Sequence, residues 1–239
     1  MRNILRQGKF RLSKEDIKKL SCFFYDESNG LLATAFFNLP LLLKRHCVQV
    51  GVTAGQMARY VPDSAIPEGM TRGEYANAVR YGCLYHDIGV YLVYNKRDMY
   101  PDAGERFLRG ELDNSAISPA AKRMILEIVQ YCGERYDGHG YPDQIAGDAI
   151  PMHAGICAIA DKTDSIVSGR MGRLSTIFEE VKTTIRENNG IMFHPGAVEC
   201  FTRACGEIFD LYGHWRKRPP LWNNSDIKPM GKTIDQPIG

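Results

Sequence analysis

His86 and Asp87 stand side by side in Tyr85-His86-Asp87-Ile88-Gly89, an imidazole next to a carboxylate. Hard or borderline divalent metals take such nitrogen and oxygen ligands from converging elements. Neighbouring helical positions point about 100° apart, so both side chains reach one ion only near a helix end. Gly89 is consistent with such an end. Asp161 follows an apolar run, Ile156 to Ala160, where a carboxylate is costly unless paired or bound to a cation. A third stretch, Glu134–Pro142, reads ERYDGHGYP. Its alternating glycines permit unusual backbone geometry and its proline stiffens the exit, so the loop is a shaped wall. Asp137 is placed to accept hydrogen bonds that fix the turn.

Helices must position these groups. Thr71 with Glu74 forms a capping-box signal that opens a segment running to His86. Ser118-Pro119 pairs an N-cap with a proline at the first helical position. Met124, Ile125, Ile128, Val129 and Cys132 then fall on one apolar face. Pro151 opens a helix through Ile156 and Ile159 to Ser168. Phe178, Val181 and Ile185 mark another that ends near Asn189-Gly190. Pro195 opens the last, through Val198, Phe201, Cys205, Ile208 and Leu211. Ser13 with Asp16 signals a short N-terminal helix. Period-two alternation is scarce, so the expected fold is all-α, one domain of roughly seven or eight helices. Residues 1–25 read as a short extension, 26–214 as the domain and 215–239 as a proline-rich tail pinned by Trp222.

The 239 residues carry a net charge of +2, which gives no case for DNA or a membrane surface as a bulk partner. The longest apolar run, Leu31–Leu43, is interrupted by Asn38 and Pro40 and falls short of the about 20 residues a span needs. It reads as a buried core helix. Seven cysteines without a CxxC pair read as buried free thiols in a reducing, cytoplasmic setting.

Residues 40–210 resemble the HD-GYP family, a branch of the HD phosphohydrolases. The resemblance rests on RHCVQVGVTAGQMARY, YHDIG, ERYDGHGYP, AGDAIPMHAGICAIADKTDSIVSGR and GIMFHPGAVECF, in that order. It implies an HD-domain helical bundle and one metal held by His46, His86, Asp87 and Asp161. Iron or manganese is favoured, with zinc, magnesium and nickel as further candidates. Asp87 and Asp164 are the implied catalytic carboxylates, Asp164 by hydrogen-bonding the ligand set. Lys162, Arg170 and Arg173 are the implied phosphate partners. Asp137, Gly140, Tyr141 and Pro142 form a lip of the site or a docking surface for a signalling protein.

Several family positions differ. Three histidines of a second metal site correspond to Tyr100, Cys132 and Gly133, so that site is expected to be lost. Leu42 replaces a glutamate associated with a third metal, and Val90 a lysine expected to meet the substrate phosphate. Cys132 offers a thiolate to a soft metal, but it also continues a core face. His139 lies at a variable loop position, and His153 and His194 read as surface or capping residues. Two functions stay open. One is a metal-dependent phosphodiester hydrolase acting on a phosphate-containing small molecule, with a cyclic dinucleotide such as cyclic di-GMP as the implied substrate. The other is a degenerate module that binds a nucleotide or partner protein without hydrolysis.

Overall fold

Capping chemistry sets several helix boundaries. The computed structural model describes Phe36, residues 39–92, residues 100–113, Ser115 and residues 117–217. Helix α1 (Leu41–Met57) starts directly after Pro40. Helix α2 (Arg72–Leu84) opens on the Thr71–Glu74 capping box, with both reciprocal hydrogen bonds made. It ends at Leu84, two residues short of the expected His86. The short α3 (Ile88–Leu92) precedes α4 (Tyr100–Asp113). Ser118 caps α5 (Pro119–Tyr131), and Pro151 precedes α6 (Met152–Gly169). Helices α7 (Leu174–Glu187) and α8 (Pro195–Lys217) complete the order. The architecture is all-α, and among the described residues the one β feature is an isolated bridge between Asn189 and Phe193.

Helix α1 is the central element, packed on α2, α6 and α8 and buried from Cys47 to Gly55. The α5 stripe of Met124, Ile125, Ile128 and Val129 enters the core as its spacing predicts. Along α8 the buried line is Ala197, Phe201, Ala204, Ile208, Tyr212 and Trp215. Cys205 and Leu211, expected on that face, sit half-buried on its flank.

Three readings change. Leu41 and Leu42 are 59% and 49% exposed, so this end of the apolar run is the open first turn of α1 rather than core. Trp215 is buried and α8 continues through Lys217, so packing holds the first residues of the stretch read as a tail. His153, read as a surface or capping residue, is buried with its Nε2 2.8 Å from Glu127 Oε2. The thiols of Cys47, Cys83, Cys157 and Cys200 are free and buried, and those of Cys132 and Cys205 are free and half-buried. The Ser13–Asp16 signal, Cys22, most of the extension and the tail beyond Lys217 lie outside the described residues. No described helix is long and apolar enough to cross a membrane.

Candidate metal centre

The His86-Asp87 pair occupies the turn between α2 and α3, as the helix-end argument requires. Gly89 acts differently from expectation. It lies inside α3, where a Cβ would meet the Tyr100 carbonyl oxygen at 1.8 Å. Its lack of a side chain lets the start of α4 press against the turn.

His46 reaches the same point from α1. Ligand atoms of His46, His86 and Asp87 all lie within 4.8 Å of one another. His46 Nε2 is 3.7 Å from Asp87 Oδ2 and 3.1 Å from Asp161 Oδ1. His86 Nε2 is 3.6 Å from Asp87 Oδ2. The four expected ligands therefore converge, with Asp161 joining the cluster through His46.

Hydrogen bonds set both imidazoles. His86 Nδ1 lies 2.8 Å from the Cys83 carbonyl oxygen, which can only accept, so Nδ1 carries the proton. Its Nε2 is buried with no hydrogen-bond partner. Leaving such an atom unmatched costs about 1–3 kcal/mol. His46 Nδ1 lies 2.8 Å from Asp164 Oδ2 and donates to it. In both rings the second nitrogen faces the carboxylates, the arrangement that presents an imidazole to a metal. The donor set and the orphaned His86 nitrogen fit a divalent ion.

The two carboxylates of α6 divide the work. Asp164 is 2% exposed, and its Oδ1 accepts from Tyr212 and Ser168 at 3.0 and 3.2 Å. Asp161 is 44% exposed and faces the open side. The cost of burying a carboxylate in this apolar segment therefore falls on Asp164, which is fully hydrogen-bonded. Burial lowers the His46 pKa, but hydrogen bonds and charge from Asp161 and Asp164 outweigh it and raise the group to about 10. For Asp161, burial raises the pKa, while His46, the His86 charge and Ser165 pull it to a net lower value.

Tyr212 was not foreseen. It belongs to the apolar stripe of α8, and nothing in that pattern marks a core tyrosine whose hydroxyl meets a carboxylate 48 positions away.

The remaining candidates lie around this centre. Asp137 is committed to its own loop: Arg135 binds both its oxygens, at 3.0 and 2.6 Å, and the His139 amide donates to Oδ1 at 3.1 Å. Arg135 holds its pKa well below the usual carboxylate range. His139 is exposed beside Asp137. Glu134 Oε1 accepts the amides of Asp143 and Gln144, and Gly140 packs so closely that a Cβ would lie 2.3 Å from the Arg135 nitrogen. The Tyr141 ring covers Gly133, where a Cβ would stand 2.7 Å from its Cζ. Cys132 packs against the core, and its hydrogen bond with Cys157, together with burial, pushes its thiol up. Lys162 is half-buried, Arg173 is exposed, and Arg170 pairs with Glu180 at 3.0 Å. His194 caps α8 by accepting the Gly196 amide at 3.1 Å. A groove of 910 Å³ between α4 and α5 contains none of the expected site residues.

A family profile described as HD domain matches residues 100–192, which include the glycine-rich loop and Asp161. A cyclic di-GMP phosphodiesterase of Vibrio cholerae is 32% identical over 90 residues, 38% of this chain and 18% of that protein. The cyclic di-GMP phosphodiesterase response regulator RpfG of Xanthomonas campestris is 33% identical over 82 residues, 34% of this chain and 22% of its own. A cyclic di-GMP phosphodiesterase of Thermotoga maritima is 27% identical over 177 residues, 70% of this chain and 46% of its own. The matches thus span less than half of each relative. A helical bundle with a histidine-aspartate turn accords with the HD-domain profile that matches residues 100–192.

Proposed function

We propose that this chain is a divergent HD-GYP phosphohydrolase with one complete metal site, formed by His46, His86, Asp87 and Asp161, and that it cleaves a phosphodiester of the cyclic dinucleotide type. The observation that carries this reading is the paired orientation of His46 and His86, each with Nδ1 committed to an acceptor and Nε2 turned to the carboxylates. Cyclic di-GMP is the substrate named for the three relatives above. Iron or manganese suits the mixed nitrogen and oxygen set, and such an ion supplies Lewis acidity to a phosphoryl oxygen and to water. Asp164 holds the His46 ring in register. Lys162, Arg170 and Arg173 offset the charge of the phosphates. Gly140, Tyr141 and Pro142 form the lip, which Asp137 stiffens, and the exposed Tyr141 ring offers a contact to a signalling partner.

The second metal site is absent in this reading. Tyr100, Cys132 and Gly133 stand where its histidines are expected, and the Tyr141 ring fills the space beside position 133. The metal-reconstituted full chain, incubated with cyclic di-GMP, is expected to yield a linear dinucleotide with one new terminal phosphate. Asp87→Asn is expected to yield none. Absence of cleavage of cyclic dinucleotides and simple phosphodiesters alike would leave a binding module and overturn the enzymatic reading.

A further inference from the structure

Beside Asp164, lined by its partners Ser168 and Tyr212, lies a cavity of 140 Å³. Its polar lining is Arg45, Gln49, Ser168, Arg170, Tyr212 and Arg216. Three arginines line it. Asp164, whose oxygens accept from His46, Ser168 and Tyr212, offsets one of these charges. Glu180 pairs with Arg170 on the exposed side. Three arginines against the Asp164 and Glu180 carboxylates leave a formal excess of one positive charge around the cavity, which favours an anion there.

The donors are prepared for one. Arg45 Nε donates to Gln49 Oε1 at 3.2 Å, and its two Nη groups have no partner among the described residues. Gln49 is buried, and because its oxygen accepts from Arg45, its NH2 group remains to donate. Arg216 is anchored by the carbonyls of Val167, Arg170 and Gly172, which fixes its charge at the wall. A volume of 140 Å³ leaves room for a small ion such as phosphate.

We propose that this cavity is a phosphoryl-binding subsite, with Arg45 and Gln49 as its donors and Arg170 and Arg216 as its flanking charges. Ser168 stands seven positions after Asp161 on one stripe of α6, about 10 Å along the helix. One phosphate cannot bridge that distance. The subsite takes either free inorganic phosphate or the second phosphate of a nucleotide whose first lies at the metal centre. Only the nucleotide assignment rests on the hydrolase reading.

Calorimetric titration of the metal-free full chain with inorganic phosphate tests the subsite apart from catalysis. Saturable binding is expected. Arg45→Gln should weaken it about tenfold or more through loss of charge-assisted hydrogen bonds, with Arg45→Lys intermediate. Arg170→Gln, at an exposed position that leaves the fold intact, should weaken it several-fold. Displacement of phosphate by cyclic di-GMP would assign the nucleotide as source, and simultaneous binding would assign free phosphate. Failure of the wild type to saturate, or undiminished binding by Arg45→Gln and Arg170→Gln, would overturn the proposal. Loss of hydrolysis with phosphate binding retained would count against the enzymatic reading alone.

Discussion

His86→Ala is expected to weaken metal binding by more than about 100-fold, beyond the range seen for loss of an outer-shell partner. The imidazole is held by the Cys83 carbonyl, and its buried Nε2 has no protein partner, so no neighbouring group is placed to replace it. The metal-free fold should change little, because the lost packing is offset by relief of an unmatched nitrogen. In the wild type, metal at 100 times its Kd adds about 2.7 kcal/mol of stability, and this increment should vanish in the variant. Thermal melts with and without metal provide the check. An unchanged increment in His86→Ala would remove this residue from the site.

The wild-type increment also depends on pH. His46, raised to about 10 in the metal-free protein, holds a proton that metal must displace. Apparent metal affinity should therefore rise with pH, by about tenfold per unit for one released proton. The sign for metal-free stability is opposite. Because the folded pKa is raised above 6.5, the ion pairs of protonated His46 contribute fully below pH 6.5, and the contribution fades as pH rises through about 10.

Gly89→Ala is the second large effect. Its Cβ would lie 1.8 Å from the Tyr100 oxygen and 2.6 Å from the Tyr100 carbonyl carbon, both backbone atoms that no rotamer change can move. Helices α3 and α4 must separate, at a cost of about 3 kcal/mol or more. Asp87 lies two residues away, so metal affinity should fall together with the urea midpoint. Gly110 makes a control, since a Cβ there meets nothing within 4 Å. In the last turn of α4, Gly110→Ala should be neutral or stabilising by up to about 1 kcal/mol. Equal midpoints for Gly89→Ala and the wild type would refute the close approach.

Local pattern made much of this legible. The capping box at Thr71, the Ser118-Pro119 start and the α5 stripe each depend on residues within a few positions, and each stands as the spacing implies. The four candidate ligands also converge, because the resemblance carried long-range information that periodicity lacks. Tyr212 on Asp164, Tyr141 over Gly133 and Tyr100 on Gly89 were not legible. Each joins elements whose crossing angle and depth are set by packing, and a helical stripe does not specify these. Asp161 and Asp164 make the same point, since one turn of helix separates an open carboxylate from a buried one.

Metal analysis of the reconstituted full chain tests the central claim most directly. One tightly bound ion per chain is predicted, lost in His46→Ala, His86→Ala, Asp87→Asn and Asp161→Asn and retained in Cys132→Ala. Two fully occupied ions per chain, or one ion indifferent to the four ligand variants, would contradict the account.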